Sequence, residues 1–145
     1  MNQQVDASTV VEPSKELEKI TFYSNQYITW DVYFENNKIV LEALLDEGWK
    51  LYSSTNTNYM GPMPTLLSFY PDDNFQTIDS VKETNIYNPE SKDLKYFENK
   101  AIFTQEIEVY SGEEFALNGS ITYMICDANS CQPPMELPFS INIKL

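Results

Sequence analysis

Beyond residue 19 the chain breaks into short runs rich in β-formers, separated by clusters of turn residues. Ile39, Leu41 and Ala43 recur at every second position, as do Ile121, Tyr123 and Ile125, which alternate with Thr122, Met124 and Cys126. That period of two puts successive side chains on opposite faces of a strand. The runs predict strands at Ile20–Tyr23, Ile28–Phe34, around Ile39–Ala43, Trp49–Tyr52 and Thr65–Tyr70. Further strands are expected at Phe75–Val81, near Thr84–Tyr87, from Ile102 to Val109, over Ile121–Cys126, and from Leu137 to Ile143. Asn36-Asn37, Asp46-Glu47-Gly48, Pro71 to Asn74 and Ser111 to Glu114 supply turns, because these side chains bond their own backbone or tolerate unusual dihedrals.

Two stretches resist the pattern. Ser53 to Pro64 is a loop whose Gly61-Pro62-Met63-Pro64 part must be extended or turned, since residues before proline avoid the helical region. Asn88 to Lys100 is polar but carries Leu94, Tyr96 and Phe97 in its middle. Many short strands, frequent turns and no helical period predict an all-β, immunoglobulin-like β-sandwich. Residues 1–19 form a polar tether without the basic and apolar regions of a signal peptide, which reads as a linker or the trimmed start of an exported chain. Residues 20–145 form the single domain. Gly119, within an Asn118-Gly119-Ser120 triplet that matches a glycosylation acceptor by chance, is read as a bend.

Both cysteines lie in one segment. Cys126 ends an apolar run, Asp127 to Ser130 are mostly turn formers, and Cys131 is followed by Gln132-Pro133-Pro134. Proline lacks the ladder donor, so this element cannot enter a central sheet. The pattern predicts a hairpin whose loop is bracketed by the two thiols. Opposed residues in an antiparallel pair have Cα atoms roughly 4.5–5.5 Å apart, and a disulfide needs about 4.4–6.8 Å. The thiols can therefore bond. Closing so short a loop stabilises a fold by only about 2 kcal/mol on the chain-entropy model. From spacing alone, a structural staple and a reversible dithiol stand level.

Composition narrows the chemistry. At 145 residues, 42% of them hydrophobic, the chain suffices for one cored domain. Its net charge of −13 argues against nucleic acid as a partner, and no apolar run is long enough to insert in a membrane. The absence of histidine removes His-based acid–base chemistry, Ser-His-Asp and Cys-His nucleophiles and most zinc sites. Adjacent carboxylates such as Asp72 and Asp73 would point to opposite faces of a strand, unlike a glycosidase pair. With four glycines there is no phosphate-cradling loop. No cofactor or metal is expected. What chemistry remains runs through Cys126 and Cys131.

Four groups of residues carry a family resemblance. Gly119 to Cys126, continuing through Cys131-Gln132-Pro133-Pro134, resembles the amino-terminal periplasmic domain of DsbD. So does Gly48-Trp49-Lys50-Leu51-Tyr52-Ser53, which fits that family's glycine, aromatic, two residues, tyrosine element. Gly61 to Thr65 is similar to a variant branch, and Tyr96-Phe97 followed by Ile102-Phe103 to the segment that caps the active site. The resemblance covers roughly Trp30 to Leu145 and is most specific at the cysteine–proline element.

The resemblance implies a periplasmic or otherwise exported domain of immunoglobulin type, a thiol-disulfide oxidoreductase of protein-disulfide reductase type. It would relay electrons from a thioredoxin-like donor to disulfide proteins of that compartment. It also implies a monomer, either a domain excised from a larger protein that contains a membrane electron conductor or a free-standing relative whose electron donor is a separate protein. By position, Cys131 would form the mixed disulfide with each partner and Cys126 would resolve it. Tyr96 and Phe97 would form an aromatic lid, and Tyr52 would line the floor. The loop between the cysteines holds four residues, one fewer than in the best-known branch. No basic residue adjoins the cysteines in sequence, and Asp127 disfavours a thiolate. The expectation is a weakly activated pair that depends on a partner's low-pKa thiol. The competing class is a non-catalytic immunoglobulin-like binding module with a structural disulfide.

Overall fold

The computed structural model describes residues 18–57 and 61–144. Most of the predicted tether, residues 1–17, lies outside these, as do three residues of the 53–64 loop. Eleven strands follow one another among the described residues: β1 (Ile20–Ser24), β2 (Ile28–Glu35), β3 (Lys38–Leu45), β4 (Lys50–Tyr52), β5 (Leu66–Phe69), β6 (Phe75–Thr84), β7 (Tyr96–Glu98), β8 (Lys100–Val109), β9 (Phe115–Tyr123), β10 (Ile125–Cys126) and β11 (Met135–Ile143). A five-stranded sheet has the order β1-β2-β3-β8-β6, and a three-stranded sheet the order β11-β9-β5. A second three-stranded sheet, β10-β4-β7, is small and holds the cysteine segment. Every pairing is antiparallel.

The two larger sheets bury their alternating residues against each other, the arrangement of a β-sandwich. Trp30, Val32, Ile39, Leu41 and Phe103 come from one sheet, and Leu117, Ile121, Phe139 and Ile143 from the other. Aromatic contacts cross the interface: Trp30 meets Tyr123 edge-on with ring centroids 5.4 Å apart, and Phe22 meets Phe139 at 5.7 Å. The architecture is the all-β, immunoglobulin-like sandwich expected from the strand pattern.

Turn chemistry explains the connections. Asn36 and Asn37 both adopt positive φ (53° and 61°) between the paired residues Glu35 and Lys38. That is the two-residue turn whose twist matches its strands, and asparagine tolerates it. Gly48 (φ 88°) turns β3 into β4, and Asn99 (φ 68°) breaks β7 from β8. β4 and β7 thus continue the β3–β8 ladder past two kinks. β10 continues β9, which belongs to the opposite sheet. The small sheet therefore joins the ends of interior strands from both larger sheets.

Three expectations are corrected. The pieces at Phe75–Val81 and Thr84–Tyr87 are largely one strand, β6, whose register shifts between Ile78 and Lys82 around a positive-φ Asp79. The buried Gln105 amide donates to the Ile78 and Asp79 carbonyls, at 3.0 and 3.1 Å, and so satisfies the bulge. Gly119 is no bend: it lies within β9, where a Cβ would collide with the Ser68 carbonyl and come within 2.6 Å of the Phe139 ring. Finally, the strand expected over Ile121–Cys126 is broken at Met124: β9 ends at Tyr123, opposite Met135 of β11, and the hairpin bracketed by Cys126 and Cys131 forms within residues 124–134, off that ladder.

Candidate functional site

Met124 interrupts the strand, and Ile125-Cys126 then pair with β4, Ile125 opposite Leu51 and Cys126 opposite Lys50. On the far side of β4, Lys50 faces Glu98, Leu51 faces Phe97, and Tyr52 faces Tyr96. Directly paired residues share a face, and alternate residues of a strand return to it. One face of the small sheet therefore carries Ile125, Leu51 and Phe97, all in the core cluster. The other carries Cys126, Lys50, Glu98, Tyr52 and Tyr96.

Cys126 and Cys131 are joined in a disulfide and form an isolated antiparallel bridge, with Cα atoms 3.9 Å apart. The approach is closer than the roughly 4.4–6.8 Å usual for a disulfide. The loop is closed from within. Asp127 donates its backbone N–H to the Ser130 carbonyl at 2.9 Å, and its carboxylate accepts the N–H groups of Asn129 and Ser130, both at 2.8 Å. Those two backbone donors hold the Asp127 carboxyl below the ordinary carboxylate range. Gln132 donates its N–H to the Ile125 carbonyl at 2.9 Å, which returns the chain alongside β10.

The two sulfurs have unlike surroundings. Cys126 is 4% exposed, whereas Cys131 is open to solvent with Ser130 and Pro133 beside it in the chain. A cleft of about 150 Å³ is lined by Asn25, Tyr123, Ile125, Gln132, Pro133 and Met135, with neither cysteine in its lining. A larger cleft, about 700 Å³, runs between residues near Glu18 and Ser140 and contains none of the predicted site residues.

The predicted aromatic residues separate. Tyr52, 5% exposed, lies on the cysteine face, and burial followed by the neighbouring Tyr96 pushes its hydroxyl above the ordinary tyrosine range. Tyr96 is half-buried on the same face and stacks on Tyr87 at 5.4 Å. Its backbone N–H donates to the Asn88 side chain at 3.0 Å and its carbonyl accepts the Tyr87 N–H at 2.9 Å, so the loop before β7 is tied to this strand. Phe97 points the other way. It is fully buried and packs edge-on against Phe103 at 5.3 Å. Phe97 is thus a core residue, and Tyr96 is the lid candidate that lies on the cysteine face.

Sequence reasoning missed Lys50. It lies within the Gly48–Ser53 element, but its place opposite Cys126 depends on a pairing between distant segments. Its Nζ stands 4.2 Å from the centre of the Tyr96 ring. A contact of this kind is worth about 0.5–1 kcal/mol where solvent has access. Among the described residues, no group of His, Cys, Asp and Glu could hold a metal ion, and no helix is long and apolar enough to cross a membrane.

No family model matches this chain, and no curated protein does. Among solved structures, it is similar to the amino-terminal domain of DsbD from Neisseria meningitidis in the reduced form. That match has a TM-score of 0.53 and 11% identity, covering 94% of this chain and 91% of that chain. The yeast GGA1 GAE domain aligns at a TM-score of 0.40 and 9% identity, over 86% of this chain and 99% of that chain. The fold is therefore one shared with the amino-terminal domain of DsbD, as the sequence resemblance implied, and the chain carries a bonded cysteine pair within it.

Proposed function

We propose that this chain is a thiol–disulfide exchange domain that passes electrons between thioredoxin-like proteins in an exported, oxidising compartment. The observation that carries the reading is the inequality of the bonded sulfurs, one buried and one open, in a fold shared with the DsbD amino-terminal domain. A staple needs no such asymmetry. Exchange does, because an incoming thiolate must reach one sulfur along the bond axis while the other departs.

A partner thiolate attacks Cys131 Sγ, the Cys126–Cys131 bond breaks, and its electron pair remains on Cys126 Sγ. The partner's second thiol then attacks the mixed disulfide and Cys131 leaves as a thiolate. Two electrons have reached the domain, the partner carries a disulfide, and solvent supplies the protons. The reverse sequence reduces an acceptor. No cofactor takes part, and the domain works as a monomer that meets each partner in turn.

The test is incubation of the oxidised domain with a reduced thioredoxin-like protein, followed by thiol alkylation, mass spectrometry and far-UV circular dichroism. Two alkylated cysteines with an unchanged spectrum are expected. A disulfide that resists this reductant, or a fold that collapses when it opens, would replace the proposal with a binding module stapled by Cys126–Cys131.

A further inference from the structure

Cys126 and Lys50 are directly opposed on one face of the small sheet, and that pairing gives Lys50 a role in the exchange. We propose that Lys50 is the cation that stabilises the Cys126 thiolate once Cys131 is bonded to a partner, and that the Tyr96 ring is its resting place while the disulfide is closed. The inference rests on the exchange reading and names a residue that tunes its buried sulfur.

Lys50 can reach the sulfur. Opposed residues on one face have Cβ atoms about 4.5–5.5 Å apart, and a lysine stem is long and flexible enough to bring its ammonium to the neighbouring sulfur. In the oxidised protein Cys126 is neutral and offers no charge to attract it. The ammonium instead lies over the Tyr96 ring, 4.2 Å from its centre. Glu98 stands opposite Lys50 on the other flank. Yet the ion pairs among the described residues are Lys19–Glu42 and Lys144–Glu18, so Lys50 is not committed to a carboxylate. A ring contact is easily exchanged for a full charge.

Breaking the disulfide creates that charge in a costly place. Cys126 is 4% exposed, and burial disfavours a thiolate. The groups around it are few. Lys50 and Tyr52 face it from β4, Tyr96 and Glu98 lie one strand farther, and Asp127 follows it in the loop. The Asp127 carboxylate is turned inward onto the Asn129 and Ser130 N–H groups. Lys50 is the positive group in this set, and the protein as a whole carries a net charge of −13. Without Lys50, the buried sulfur would be both a poor leaving group and a poor resolving nucleophile.

The magnitude follows from general thiol chemistry. A nearby opposite charge moves a titration by about 1–3 pH units, and the half-exposed Lys50 belongs at the low end. If the Cys126 titration rises by about one unit, the thiolate fraction near neutrality falls about tenfold. Greater intrinsic nucleophilicity offsets part of this, leaving resolution about three- to fourfold slower.

The experiment titrates the Cys126 thiol by thiolate absorbance in Cys131→Ser protein, with lysine, methionine or arginine at position 50. No partner is needed, so the result stands apart from whether a thioredoxin-like protein reduces the disulfide. Lys50→Met should raise the midpoint by about one pH unit, and Lys50→Arg should restore most of it. An unchanged midpoint in a folded Lys50→Met protein overturns the proposal. Should circular dichroism show that the methionine variant is misfolded, the salt dependence of the Cys131→Ser midpoint decides. Screening a local cation raises the midpoint, whereas screening the net negative field lowers it. A rise supports Lys50; a fall, or no change, overturns its role.

Discussion

Cys126 and Cys131 are bonded to one another, yet Cys126 is packed under the sheet and Cys131 stands in solvent. The burial follows from position. Cys126 is held in β10 against β4, while Cys131 lies beyond an Asx-turned loop and before two prolines that donate no backbone hydrogen bond. A packed thiol is inert and an open one exchanges. Cys126→Ser should therefore let Cys131 trap a thioredoxin-like partner that lacks its own resolving cysteine, and the mixed disulfide should accumulate on non-reducing electrophoresis. Cys131→Ser should trap little. Equal trapping by both variants would mean that the assignment of roles is wrong.

The adjacent pair Tyr96 and Phe97 should respond oppositely to truncation. Tyr96 lies on the cysteine face and Phe97 in the core against Phe103. Tyr96→Ala should speed attack of glutathione on the disulfide with little loss of stability. Phe97→Ala should cost about 3–5 kcal/mol, the usual range for a buried phenylalanine. Stopped-flow reduction and urea unfolding separate the two effects. A Tyr96→Ala protein reduced at the wild-type rate would leave the disulfide without a lid at that position.

How much of this was legible in the sequence depended on the range of the interaction. The Asn36-Asn37 hairpin was readable because asparagine tolerates positive φ and apolar alternation flanks it on both sides. The cysteine pairing was readable because the turn residues lie between the two thiols. Phe97 was misjudged because Asn88 to Lys100 looked like loop. Once Tyr96–Glu98 is a strand, period two alone sends adjacent aromatics to opposite faces. β6 was split because the charged Lys82-Glu83 pair interrupts its run of β-formers, although both residues pair with β8. Lys50 could not be found locally: its relation to Cys126 arises from pairing of β4 with β10, which no run of residues announces.

Opening the disulfide should leave the sandwich intact. The core of Trp30, Leu41, Phe103, Ile121 and Phe139 is assembled by the two larger sheets, and the bridge closes only a five-residue separation at their margin. The loss on reduction is expected to be about 2 kcal/mol or less. Urea unfolding with and without a phosphine reductant measures it. A much larger loss would make the bond a structural staple.

Gly119→Ala should destabilise the protein by about 1–3 kcal/mol, the usual cost of forcing an extra carbon into a packed site. The new methyl group would meet the Ser68 carbonyl of β5 on one side and the Phe139 ring on the other. Backbone cannot yield as a flexible side chain would, so β5 must move away from β9. Thermal unfolding of the variant tests this, and an unchanged midpoint would show that β5 is free to shift.

Glu42 should make stability depend on acid in one direction. It is 6% exposed, accepts the Tyr33 hydroxyl at 2.8 Å and receives Lys19 at 3.2 Å. Burial alone would raise its pKa, but the Tyr33 hydrogen bond and the Lys19 ammonium outweigh it, and the carboxyl sits below its ordinary range. A depressed folded-state pKa contributes stability above the unfolded value, which is about 4.3 for glutamate. That contribution is lost as pH falls through the lower folded value. The wild-type advantage over Glu42→Gln in urea should thus be constant near neutrality and shrink once the pH drops below about 4. Taking the difference between the two proteins removes the other carboxylates, which titrate in both. An advantage that grew in acid would mean that the charged form of Glu42 is not the one the fold favours.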